Sequence, residues 1–400
     1  MTVTAQPNDI YYDPYDHEID ADPHPVWRRM REEAPVYWNG KYGFYALSRF
    51  DDVWRAYLDA KTFSSSHGVE LENLDHPMPQ PTVMIFTDPP EHDALRKLVS
   101  RAFTPRRIAD LEASIRGLCG ELLDPFRDAS AFDYVSDFAA IVPPMVIGEL
   151  IGVPVDERDV LRTWFDAMLH REDGVLAPPA SAIQASIEVH QYAGELVADR
   201  RRAPGDDLIS ALLTAEIELD GERRVLTDME IQNFVVLLSG AGVETVARLL
   251  SWAGVVFARN PEQRAKVVAN PGLVAGAVEE LLRYEAPSPV NGRFTNASSE
   301  FQGVRIPAGS KVLMLNGSAN RDPREFERPD EFDVERKITR HISLGYGTHF
   351  CLGASLARLE TRVALEETFA RFPAWDVVDD ELEMVRTNTV RGYAHVPIHF

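Results

Sequence analysis

The sequence predicts a mainly α-helical protein, and three stretches carry that prediction. Thr227-Asp228-Met229-Glu230 sets a threonine at a helix N-cap with a glutamate three residues on, so that each side chain can accept from the other's open backbone N–H. The apolar pattern it opens runs through Phe234-Val235-Val236-Leu237-Leu238 and Leu249-Leu250-Ser251-Trp252 to Asn260-Pro261, long enough to cross a whole domain. A second pattern, Ala354, Leu356, Ala357, Leu359, Val363, Ala364, Leu365 and Phe369, keeps helical spacing up to Phe372, with Pro373 as a stop. A third signal is the helical pair 160–170 and 181–202, separated by a glycine- and proline-containing loop at 174–179.

The other elements follow in chain order. Residues 1–20 are acidic and rich in Tyr and Asp, and read as a segment lying on the surface. Asp22-Pro23-His24-Pro25 opens a short helix through Arg31, with proline in the first turn where its missing N–H costs nothing. Residues 41–48 read as a strand, Asp51 begins a helix, and the polar, proline-rich 64–81 is a loop. Asp88 is the expected N-cap of the helix that carries His92 and Arg96, four apart on one face. Helices are expected over 108–127 and 131–150, the latter interrupted near Pro143-Pro144, then a turn and helix at 205–209 and another helix at 271–285. Pro287-Ser288-Pro289 breaks that last helix, and a hairpin is expected over 301–315, turning at Pro307-Ala308-Gly309.

At 400 residues, length alone allows two or three domains. Hydrophobic residues at 45% and charged residues at 26% are ordinary for a globular protein. No apolar run approaches about twenty residues and the N-terminus lacks a basic cap, so no membrane anchor and a cytoplasmic location are expected. Two cysteines build no disulfide framework, in keeping with a reducing compartment. A net charge of −22 argues against nonspecific nucleic-acid binding. Against that balance, Arg96, Lys97, Arg101, Arg106 and Arg107 crowd one helix and its exit, either as a solvated face or as a face for an acidic partner.

Three positions carry chemistry. Cys351 stands where a helix begins, among open N–H groups at the positive end of the dipole, which favours a thiolate. The bland alternative is a small buried hydrophobe. With Cys119 far away in sequence, Cys351 would be a metal's single protein ligand, as an axial thiolate is to haem iron. Inside the long helix, Gly240 and Gly242 each cost about 1 kcal/mol relative to alanine. A close helix crossing accounts for the glycines, but not for Glu244 beside Thr245 in an apolar helix. Glu280 and Arg283, at i,i+3, are either a surface pair or a buried one.

Leu344-Gly345-x-Gly347-x-His349-x-Cys351-x-Gly353 resembles the haem-ligand signature of the cytochrome P450 monooxygenases, and the resemblance spans nearly the whole chain. It implies a single helix-rich body over 1–400 with small peripheral sheets. Haem b, iron protoporphyrin IX, would lie between the long helix and the helix after the cysteine loop. Cys351 would be the axial ligand, with Leu344, Gly345 and Gly353 around it. The family usually has Phe at the position of Leu344, so the setting of the sulfur differs here. His92, Arg96, Arg293 and His349 would bind propionates. Ala241, Gly242, Glu244 and Thr245 would form the oxygen groove, where the helix loosens, Thr245 holding and Glu244 feeding a proton network. Glu280, Arg283 and Arg336 would lock the core structurally. Leu237, Ala241, Val290 and Val390 would line the substrate cavity, with 388–392 as a hairpin tip entering it and 174–179 as a lid.

The function so implied is insertion of one oxygen atom from O2 into an apolar small molecule: a terpenoid, steroid, fatty acid or polyketide. Gly345-Tyr346-Gly347 lacks the third glycine of a nucleotide loop, so electrons are expected from a separate ferredoxin and reductase. A monomer is expected. Two alternatives stay open, a peroxide-using haem-thiolate enzyme and a haem- or lipid-binding protein without catalysis.

Overall fold

The computed structural model describes residues 9–78, 83–101, 103–175, 177–219, 221–387 and 389–400. The chain begins with α1 (His17–Ala21), α2 (His24–Glu33), β1 (Val36–Asn39), β2 (Phe44–Leu47), α3 (Phe50–Leu58) and β3 (Phe63–Ser64). Next come α4 (Glu91–Val99), α5 (Pro105–Asp110), α6 (Glu112–Leu123), β4 (Ala131–Asp133), α7 (Val142–Ile151), α8 (Arg158–Leu169), α9 (Ala180–Arg202) and α10 (Leu208–Leu212). A hairpin of β5 (Glu216–Leu219) and β6 (Glu222–Val225) leads to α11 (Asp228–Arg259), α12 (Pro261–Ala269) and α13 (Val274–Tyr284). The remainder is β7 (Val290–Thr295), β8 (Ser299–Phe301), β9 (Val304–Ile306), β10 (Lys311–Leu315), α14 (Asn316–Ala319), α15 (Ala354–Arg371), β11 (Asp376–Val377), β12 (Glu383–Met384), β13 (Tyr393–His395) and β14 (Pro397–His399).

The core is organised on α11. Its start is closed by the predicted box: Glu230 N donates to Thr227 Oγ1 at 3.3 Å and Thr227 N donates to Glu230 Oε2 at 2.8 Å. Leu250 and Phe257, seven residues apart, are both fully buried in the main apolar cluster, alongside residues from α7, α9 and α15. Each such side chain contributes roughly 1.5–3 kcal/mol of burial. The glycines make the crossings close: a Cβ at Gly240 would lie 2.7 Å from Phe165 on α8, and one at Gly242 would lie 2.8 Å from Ile147 on α7. By length and composition α11 alone, among the described residues, could cross a membrane, yet 72% of its apolar window is buried inside the protein.

A five-stranded sheet in the order β1-β2-β10-β7-β3 sits beside this helical body. It revises the expected hairpin over 301–315. β10 pairs antiparallel with β7 and parallel with β2, whereas the tight hairpin is β8 with β9, turning at Gln302 and Gly303, both at positive φ. Val312 to Leu315 are all buried, the mark of a central strand covered on both faces. β1 and the hairpin β5–β6 escaped the sequence reading.

Three other expectations are corrected. Residues 131–150 are not one helix: Ala131–Asp133 pairs with β14, a π-helical turn spans Val135–Ala139, and Pro143 and Pro144 open α7 rather than interrupt a helix. Asp88 does not cap α4; that position is Pro90, and the Asp88 carboxylate accepts from Ser65 N at 2.9 Å. The N-terminal segment is not simply draped on the surface. Ile10, Tyr12 and Tyr15 are buried in a second cluster with Trp27, Met30, Phe44 and Leu313, because aromatic rings between the acidic residues have a cleft to fill; residues 1–8 lie outside the described residues.

Candidate active site

The cysteine loop leads into α15. Gly345 and Gly347 take φ of +64° and +65°, and a Cβ on Gly347 would stand 2.5 Å from the Tyr57 carbonyl, so only glycine fits there. Cys351 N donates to Leu344 O at 2.9 Å, closing the loop just before α15 starts at Ala354. Leu344 is partly buried against the main core. Burial pushes the Cys351 thiol up, against the Gly353 N–H and the Arg96 and Arg358 guanidiniums, which favour the thiolate. The helix-start effect expected from sequence is therefore outweighed by desolvation in the chain alone.

Beside the loop, two histidines and two arginines converge, and among the described residues the arginines have no carboxylate to balance them. His92 is fully buried, with Nδ1 3.0 Å from Asp93 Oδ1, while its Nε2 has no partner. The His349 ring lies 4.3 Å from that of His92, and its Nε2 is 3.1 Å from Ser65 Oγ. Arg293 is buried on β7; its Nη1 donates to Gly292 O at 2.7 Å, and its guanidinium stands over the Tyr57 ring. Arg96 donates to Phe350 O at 2.6 Å and Thr348 O at 3.4 Å. Among the described residues neither arginine touches a carboxylate. Burial, followed by Arg293, His92 and Arg96, drives the His349 pKa down to about 2. An anion placed among these groups would relieve an uncompensated buried charge and satisfy an orphaned nitrogen. The two carboxylates of a haem fit that requirement, and Cys351 carries a soft sulfur of the kind that could hold haem iron.

On α11, Ala241 is exposed and Thr245 half-buried, with Thr245 Oγ1 donating to Ala241 O at 2.8 Å. α11 is continuous through Gly242, so the expected loosening is not present; the threonine hydroxyl satisfies the carbonyl one turn back. Glu244 is not open to solvent. It is buried, its Oε2 accepts from Arg248 Nη2 at 2.9 Å, and its Oε1 has no partner. Burial raises its pKa to about 7, with Arg248 pulling down and Asp166 pushing up.

Glu280 and Arg283 form a fully buried bidentate pair at 2.7 and 2.8 Å, which resolves the two readings of that spacing. Arg336 Nε joins Glu280 Oε1 at 3.1 Å. Ser343, in the segment leading to the cysteine loop, donates to Leu282 O at 2.5 Å and so ties the trio to it. Of the predicted cavity residues, Val290 and Val390 line one shallow, open cleft with Tyr12, Trp27 and Asp20; Leu237 and Ala241, a turn apart on α11, are not part of its wall. The expected tip 388–392 lies between β12 and β13, Asn388 falling outside the described residues. Arg248, Asp166 and Arg358 were missed. Arg248 was visible as an i,i+4 partner of Glu244; the other two meet the site only in three dimensions.

A helical body with a lone cysteine just ahead of a helix, an anion-seeking cluster beside it and an acid–alcohol pair on the long helix fits a haem-thiolate class of protein. The family model for cytochrome P450 matches residues 23–271 and 271–390, and the chain belongs to that family: a monooxygenase-class oxidoreductase whose cofactor is haem b. Cytochrome P450 123 of Mycobacterium tuberculosis is 42% identical over 401 residues, covering 100% of this chain and 99% of the relative. The solved structure of a mutant of P450 EryK in complex with erythromycin B superposes with a TM-score of 0.86 at 37% identity, over 95% of this chain and 96% of that one. The bacillaene polyketide synthase cytochrome P450 PksS of Bacillus subtilis 168 gives 0.86 at 33%, over 97% and 99%.

Proposed function

We propose that the chain inserts one oxygen atom from O2 into an apolar small molecule, with Cys351 as the residue whose sulfur would hold the haem iron and with electrons delivered by a separate ferredoxin and its reductase. The observation that carries this reading is the buried, partnerless Nε2 of His92 beside the unpaired Arg293, flanking the cysteine loop. In it, His92, Arg96, Arg293 and His349 hold the propionates, and Leu344, Gly345 and Gly353 seat the ring around the sulfur. When bound, haem supplies the activation of O2 at its iron. The protein's share is to place substrate and protons. Thr245, one turn from the exposed Ala241, presents a hydroxyl one residue from Glu244, a carboxyl with a pKa of about 7 that can carry a proton at neutral pH. Glu280, Arg283 and Arg336 keep the loop in register and take no part in chemistry.

Leu237, Ala241, Val290 and Val390 are the substrate contacts of this reading, all apolar. A polyketide-sized ligand is favoured within the wider range of terpenoid, steroid and fatty acid, since one neighbour was solved with erythromycin B and another is named for bacillaene synthesis. Lys97, Arg101, Arg106 and Arg107 are exposed on α4, α5 and their junction, a face for an acidic electron carrier. A monomer in the cytoplasm completes the proposal, and both cysteines are free thiols. The test is a carbon monoxide difference spectrum of the reduced protein. A thiolate-type Soret band, lost in Cys351→Ala, is expected; its absence from the parent protein, or its survival in the variant, sinks the reading. Turnover with peroxide and never with a ferredoxin chain would select the peroxide-using alternative instead.

A further inference from the structure

The cysteine loop carries glycines at 345 and 347, both at positive φ, and glycine loses more conformational freedom on folding than any other residue. Contacts from outside must hold such a loop still. Its upstream end is tied by Ile342 N, which donates to Asn320 Oδ1 at 2.8 Å, and by Ser343 on Leu282 O. Its downstream end is tied by Arg96, which donates to Thr348 O and Phe350 O. Between these ties run Leu344, Gly345, Tyr346 and Gly347. Leu344 packs on the main core, which leaves Tyr346 as the other large side chain of the stretch. Its ring lies on that of Trp54 in α3, with centroids 3.6 Å apart and planes 28° from parallel. Both rings are half-buried, at the edge of an apolar cluster that includes Phe50, Tyr57, Phe326 and Ile342.

Trp54 is itself firmly placed. Phe50, one turn back on α3 and buried, stacks with it at 5.8 Å and 20°. The Arg340 guanidinium stands 4.8 Å from the Phe50 ring and 4.9 Å from the Trp54 ring. Glu325 pins that arginine through two hydrogen bonds, at 2.8 and 2.7 Å. A second contact comes from the same helix, where Tyr57 O lies so near Gly347 that a Cβ there would be 2.5 Å away. So α3 meets the loop twice, by a side chain at Tyr346 and by backbone at Gly347. We propose that Trp54 is a positioning residue for the metal ligand: stacked on Tyr346, it holds the glycine-rich loop closed and keeps the Cys351 sulfur in one fixed place ahead of α15. The closure it guards is the bond from Cys351 N to Leu344 O at 2.9 Å. The consequence for the metal rests on Cys351 as the residue that holds haem iron; the holding of the loop by Trp54 does not.

The experiment compares the haem-loaded full chain with Trp54→Leu, Tyr346→Leu and Tyr346→Phe, the last of which keeps the stacked ring. Two quantities are measured in dilute urea, where each protein retains its native far-ultraviolet circular dichroism. One is the lifetime of the thiolate-type band of the reduced carbon monoxide complex; the other is hydrogen–deuterium exchange of the amides of 344–353. Either leucine variant is expected to shorten the band's lifetime about three- to tenfold and to speed loop exchange by a similar factor, the range a stacked aromatic pair carries. Peptides from α11 and α15 exchange as in the parent, and Tyr346→Phe behaves as the parent throughout. The double variant Trp54→Leu with Tyr346→Leu does no worse than the worse single, because both break one contact. Loop exchange at the parent's rate in both leucine variants overturns the proposal, as do losses that add in the double variant or protection lost equally along the whole chain. A loosened loop with an unchanged band lifetime overturns the role toward the ligand. Should Trp54→Leu fail to fold, Tyr346→Leu against Tyr346→Phe decides: equal effects of the two overturn the stack. A parent without a thiolate-type band defeats Cys351 as the iron's ligand, and exchange of the loop amides still tests the hold of Trp54.

Discussion

At the scale of the residue, Glu360 is a group that the chemistry leaves aside. It is buried on α15, its Oε2 has no partner, and burial raises its pKa well above the ordinary carboxylate value. The folded state therefore binds the proton more tightly than the unfolded chain. The stability this proton contributes is fully present below the unfolded pKa and is lost as pH rises toward the folded value. Glu360→Gln keeps the shape and removes the titration. Its melting temperature relative to the parent should rise between about pH 5 and about pH 8; a difference independent of pH would contradict a neutral buried acid. Glu244 belongs to the same class by burial but differs by having Arg248, and that single partner separates a tunable acid from an inert one.

At the scale of the element, the crossing of α11 with α7 is set by the missing side chain of Gly242. Alanine there gains about 1 kcal/mol of helix propensity but places Cβ 2.8 Å from Ile147 Cγ1. Overpacking of that kind costs roughly 1–3 kcal/mol, so Gly242→Ala is expected to lose up to about 2 kcal/mol. Denaturant unfolding checks the sign. In the pair Gly242→Ala with Ile147→Ala, the loss should fall short of the sum of the singles, with coupling of about 0.5–3 kcal/mol; strict additivity would mean that the two helices do not meet at this glycine. Such a glycine was legible as unusual helical sequence, whereas the identity of the side chain it accommodates was not.

At the scale of the molecule, the charge is strongly uneven. Against a net −22, the exposed Lys97, Arg101, Arg106 and Arg107 make no ion pairs among the described residues, while arginines such as Arg116 and Arg362 are paired with glutamates. A face kept positive in an acidic protein steers an acidic partner and speeds its approach at low salt. Reversing Lys97 and Arg101 to glutamate should raise the KM for a reduced ferredoxin about tenfold or more at low ionic strength and flatten its salt dependence, with the melting temperature unchanged. A KM that does not move would place the electron carrier on another face.

What the sequence determined by itself was local. The capping box at Thr227, the stop after Phe372, the glycines of the cysteine loop and the lone Cys351 are properties of neighbours in the chain, and spacing alone exposes them. The pattern around Cys351 led to the fold because so few arrangements give one thiolate to a flat cofactor. Strand partners failed where spacing is silent: β10 pairs with β7 and with β2, far back in the chain, and 131–133 pairs with the C-terminus. Tertiary structure also decided the electrostatics. Whether Cys351 is drawn toward thiolate or thiol, whether Glu280 and Arg283 meet water, and which carboxylate shares Arg248 all depend on what is buried against them. Desolvation is a property of the packed body and is not encoded at any single position.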